Sequence, residues 1–124
     1  MEQSLIFPTR PECEFDTPER CHITEILNKG DLASLSIAQA RVEPGVQTQL
    51  HALHHTEEAY YILSGEGEME VDGQMIGAVR SGDVVWIAKG KSQRIRNTGA
   101  GDLLFLCICH PRFEAAAYED LEGA

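Results

Sequence analysis

The chain has 124 residues, 43% of them apolar and 24% charged, and 20 acidic against 10 basic side chains leave a net charge of -10. That length is one domain, and folding it removes about two thirds of its surface from water, enough for a core without disulfide or metal staples. The acidic balance argues against nucleic acid and anionic membrane surfaces as partners, and no apolar run approaches the ~18 residues of a membrane span.

Residues 1–30 read as an N-terminal arm and first strand. Residues 1–10 carry Glu2 early and lack the apolar stretch of an export signal. A cytoplasmic chain with reduced thiols at Cys13, Cys21, Cys107 and Cys109 is therefore expected. Three of the five prolines lie in this arm, which leads into a strand over residues 22–27. Its apolar Leu5, Ile6 and Phe7 suit pairing onto the sheet edge of a second copy.

Residues 31–112 read as short strands separated by turn signals. Strands are expected at 34–42, 48–54, 58–64, 66–71, 74–80, 84–88, 92–97 and 103–109. Asp72-Gly73 is a two-residue hairpin signal between two of them. In 92–97, Gln93, Ile95 and Asn97 alternate with Arg94 and Arg96, so the first three point inward. Trp86 is expected in the core or at a dimer interface. Strands at this spacing indicate an antiparallel sandwich or barrel, an all-β fold in a single domain. Residues 113–124, with Ala115, Ala116 and Ala117, are expected to form one short C-terminal helix and tail.

Three of the five histidines fall within five residues, His51, His54 and His55, with Glu57 and Glu58 directly after them. Imidazole and carboxylate are the usual ligands of borderline divalent metals. Residues two apart on a strand share a face, so a regular strand points His51, Leu53 and His55 one way and His54 the other. Glu58, Tyr60 and Ile62 share a face of the following strand, and a hairpin brings His51, His55 and Glu58 to one side of a sheet.

The spacing from Gly45 through His51 and Glu58 to Gly65 resembles the first cupin motif: glycine, five residues, His-x-His, three or four residues, glutamate, six residues, glycine. Gly82, Gly90 and Asn97 match the second motif in register. The resemblance covers roughly residues 34–110 and implies a cupin double-stranded β-helix, or jelly roll, commonly dimeric. It also implies a metal held by three histidines and one glutamate, and here the chain departs from the pattern. The second histidine position is Leu53 and the third is Gln93, so His51 and Glu58 alone keep their places. Either His54, by a small register shift, or His55, swinging in from the barrel mouth, restores a second imidazole. Gln93 either adds an amide oxygen to the ligand set or holds the pocket by hydrogen bonds, and Tyr60 lines the site.

Two functions follow. In the first, His51, Glu58 and one of His54 or His55 hold Fe, Mn, Ni or Zn, and the barrel acts on a small organic ligand with oxygenase, isomerase or decarboxylase chemistry. In the second, the degenerate site is metal-free and the barrel is a small-molecule binding or sensor module. A purely structural role leaves the histidine cluster idle and ranks last.

Overall fold

Antiparallel pairing of short alternating strands organises the chain, and the computed structural model describes residues 5–123. The outermost parts of the expected arm and tail, residues 1–4 and 124, lie outside the described residues. The strands are β1 (Phe15–Asp16), β2 (His22–Leu27), β3 (Ser36–Val42), β4 (His51–Leu53), β5 (Glu57–Ser64), β6 (Glu66–Val71), β7 (Gln74–Arg80), β8 (Val84–Ile87), β9 (Ser92–Asn97), β10 (Leu103–His110) and β11 (Tyr118–Asp120). They form a six-stranded sheet in the order β1-β2-β3-β10-β5-β8 and a five-stranded sheet in the order β11-β4-β9-β6-β7. The chain thus moves between sheets, as a jelly roll does.

Burial follows the period of two. Along β5, Glu58, Tyr60 and Ile62 are buried, and along β9 Gln93, Ile95 and Asn97 are, as the alternation requires. Val42, Ile62, Met69, Ile95 and Leu103 are wholly shielded and interdigitate between the sheets. Tyr60 and Phe105 belong to this packed core, with ring centroids 4.4 Å apart, and they also border the cavity described below. Asn97 secures the loop after β9. Its Nδ2 donates to the carbonyls of Val42 and Gly101 at 2.8 Å each, and Gly99 N–H donates to its Oδ1 at 2.8 Å.

Two expectations need correction. The alanine run makes only a 3-10 turn, Ala115–Ala117, with no side-chain cap, and the chain then pairs as β11 against β4. A few alanines cannot offset helix nucleation, whereas the open edge of β4 supplies ready backbone partners. Trp86 is not a core residue: β8 turns Val85 and Ile87 inward and leaves Val84 and Trp86 64% and 59% exposed. Within the arm, Phe15 pairs opposite Ile23 and Asp16 opposite His22.

The crossing from β5 to β6 rests on Gly65. It has φ +93°, and a Cβ there would lie 2.7 Å from the Asp102 carbonyl oxygen and 2.9 Å from Leu103 Cα. Gly73, at φ +78° in the β6–β7 hairpin, has open space around that position. Gly65→Ala should therefore destabilise the fold by about 2 kcal/mol or more, against about 1 kcal/mol for Gly73→Ala. Urea unfolding midpoints measure both, and equal losses would show that the backbone contact at residue 65 is immaterial.

Candidate functional site

A cavity of about 180 Å³ opens between the two sheets. β5 contributes Glu58 and Tyr60, and β4 contributes His51 and Leu53. β10 brings Phe105, Cys107 and Cys109 to the same space. These side chains converge because β5 pairs with β10, setting Glu58 opposite Cys109 and Tyr60 opposite Cys107. β4 pairs with β9 in the facing sheet, setting His51 opposite Gln93. Glu19 from the arm and Tyr118 from β11 complete the polar lining.

His51 is buried and holds one tautomer. Its Nδ1–H donates to the Gln49 carbonyl at 2.8 Å, which leaves Nε2 with a free lone pair. The Tyr118 ring stacks on the imidazole, centroids 4.8 Å apart and planes at 15°. Burial lowers its pKa, so the ring is neutral at pH 7. Gln93 is also enclosed, and its Oε1 accepts the hydroxyl proton of Tyr60. Its Nε2 has no hydrogen-bond partner among the described residues, and neither has Glu58 Oε1.

Desolvation sets the charge state of the cavity. Burial raises Glu58 to about 7, opposed in part by the polar groups of Gln93, Cys109 and Cys107. Burial raises Glu19 to about 7 as well, and its negative charge pushes Glu58 further up. The thiols stay protonated: Cys21 is pushed up to about 12, chiefly by burial, and burial likewise pushes Cys107 and Cys109 well up. They are inert liners rather than nucleophiles.

The structure brings His51, Glu58, Tyr60 and Gln93 together and leaves His54 and His55 outside. β4 ends at Leu53, and His54-His55 form an exposed turn in which His55 has φ +64°. The strand alternation expected to carry His55 inward stops before reaching it. His54 Nε2 points outward to Glu119, 2.7 Å away. Glu19 and Tyr118 were not legible as site residues, because one sits in the arm and the other in a segment with helical composition. Their place depends on chain-distant pairing and packing.

The donor set does not suit the divalent metal that the motif resemblance implies. Leu53 supplies no lone pair, and Gln93 offers only a neutral amide oxygen that already accepts from Tyr60. Of the expected ligands, His51 Nε2 and the Glu58 carboxylate remain. Among the described residues no group of three or more His, Cys, Asp or Glu side chains is arranged to hold a metal ion. Borderline divalent ions need three or four protein donors.

Glu58 also links stability to pH. Its proton is held up to about pH 7 in the fold but leaves near 4.5, the ordinary glutamate value, once the chain unfolds. The folded state thus binds more protons between these values, and stability must fall as pH rises from 4.5 to 7. The loss from this group is about 3 kcal/mol, complete above pH 7. Glu58→Gln should flatten this decline and make the variant the more stable form at pH 8, as read from urea melts at pH 5 and pH 8.

Comparison with known proteins places these features in a family. The chain matches the family described as a cupin domain over residues 38–109. It is 37% identical over 87 residues to an uncharacterized protein of Methanocaldococcus jannaschii, covering 70% of this chain and 66% of that protein. It is 38% identical over 71 residues to an oxalate-binding protein of Thermotoga maritima, covering 57% of this chain and 58% of that one. The matched stretches therefore span less than two thirds of either relative. The crystal structure of a predicted oxalate decarboxylase from Thermotoga maritima superposes with a TM-score of 0.67 at 31% identity, over 73% of this chain and 80% of its own. With more than half of its length inside the family's bounds and its strands wound as a double-stranded β-helix, the chain belongs to the cupin family.

Proposed function

We propose that the protein binds a small organic molecule in the barrel cavity without a metal ion, as a binding or sensor cupin. One observation carries this reading. The cavity keeps the cupin His51 and Glu58, but apolar Leu53 and the Tyr60-bound amide of Gln93 stand where two further imidazoles are expected. What remains is a mostly apolar pocket with a few converging polar atoms, the usual form of a small-molecule site.

The relatives named for oxalate motivate that anion as a ligand, and the lining speaks against it. Oxalate is a dianion, and no lysine or arginine lines the cavity among the described residues. Without a metal, nothing there offsets the desolvation of two carboxylates beside Glu58 and Glu19.

Two measurements test the reading. Elemental analysis of protein purified without chelator, then exposed to Fe, Mn, Ni or Zn and desalted, should find well under one equivalent of any of them. A stoichiometric metal that disappears in His51→Ala would overturn it. Conversely, the double variant Leu53→His with Gln93→His should gain about one equivalent of metal, because it returns two imidazoles to the set beside His51 and Glu58. If the double variant binds no more metal than the parent, the missing imidazoles are not what keeps the cavity metal-free.

A further inference from the structure

The chemistry of the cavity wall narrows the ligand class beyond a generic small molecule. This step rests on the metal-free reading above. Three features of the wall point the same way.

The first is an unanswered acceptor. Glu58 is 6% exposed, and its Oε1 has no hydrogen-bond partner among the described residues. A buried carboxyl oxygen left in this way costs free energy that a donor from a ligand recovers. The second is the sign of the charge. Glu19 and Glu58 both border the space, no lysine or arginine does, and the one titratable base there, His51, is neutral. Neighbouring cations are committed elsewhere: Arg20 binds Glu122 at 2.7 Å, and Arg41 binds Glu14 at 2.7 Å. The net charge of -10 adds a long-range bias in the same direction. The third is the aromatic wall. Phe15, Tyr60, Phe105, Phe113 and Tyr118 line the cavity, and such rings attract a cation over their faces.

We infer that the cavity takes a small organic ammonium ion, its N–H groups donating to Glu58 Oε1 and its carbon skeleton lying against Tyr60, Phe105 and Tyr118. The size fits: an apolar cavity of ~150 Å³ accommodates benzene, so about 180 Å³ holds a skeleton of similar size bearing one amino group. Glu19, also in the cavity wall, adds attraction for the same charge. At pH 7.5, above the value of about 7 to which burial raises it, Glu58 meets the cation largely as a carboxylate.

Three near-isosteric probes separate the possibilities by isothermal titration at pH 7.5: benzylammonium, benzyl alcohol and benzoate. Benzylammonium should bind about tenfold or more tighter than benzyl alcohol, the gain expected of a charge-assisted hydrogen bond, and benzoate should not bind. Glu58→Gln should bring benzylammonium down to the affinity of benzyl alcohol. Glu19→Gln should weaken benzylammonium by a smaller factor. Retained binding of benzyl alcohol in each variant reports that the barrel is folded. Equal affinity for ammonium and alcohol, or preference for benzoate, overturns the ammonium class while leaving a metal-free organic pocket in place. Failure of all three probes also overturns it. Stoichiometric uptake of a divalent metal through His51 and Glu58 marks the distinct failure of the metal-free reading itself.

Discussion

The hydrogen bond from the Tyr60 hydroxyl to Gln93 Oε1 joins the two sheets where packed core gives way to open cavity. Tyr60 stands on β5 of one sheet and Gln93 on β9 of the other, so the bond spans the interior. It holds the phenol ring against Phe105 on the core side and beside Glu58 on the cavity side. It also engages one of the two lone pairs of the only Gln93 atom able to ligate a metal. A single polar contact therefore sets both the inter-sheet geometry and the chemical character of the pocket.

Around that bond the cavity is mostly apolar, with few hydrogen bonds and little compensation for charge. Glu58 and Glu19 reach about 7 because water is removed from around them and nothing positive replaces it. A metal centre in this place would do the opposite and hold the carboxylate ionised. The raised value and the open position at Oε1 thus belong to one physical condition, a carboxyl kept dry without a counter-charge. His51 shares it: its Nδ1 hydrogen bond to Gln49 and its stack on Tyr118 fix the ring, while burial keeps it neutral.

The two parts of the chain outside the matched cupin stretch shape this pocket more than its strand content implies. The arm supplies Glu19 and Phe15, and the C-terminal segment supplies Phe113 and Tyr118. β11 closes the free edge of β4, which would otherwise leave unpaired backbone groups beside the cavity. Arg20 in the arm binds Glu122 in the tail and donates to the Gln47 carbonyl, so both ends are tied to the loop before β4. The site is therefore a product of the whole chain, although its family motifs lie in the middle.

Period-two alternation and turn residues made the barrel strands legible in the amino-acid sequence, because each strand has one face buried and the pleat leaves no other choice of side. The inward places of Glu58, Tyr60 and Gln93 follow from the same rule, whereas the loss of the imidazole positions at Leu53 and Gln93 is legible only through the resemblance to the cupin motifs. The tertiary structure decided what lies beyond a strand's own register. It ended β4 at Leu53, so that His55 turned out to solvent, and it drew the alanine-rich tail into a sheet edge instead of a helix. It also placed Glu19 and Tyr118 in the cavity wall. Local pattern determines which face a residue takes within an element; where elements stop, and which distant segments cover them, depends on partners for backbone groups and apolar surface that the fold alone brings near.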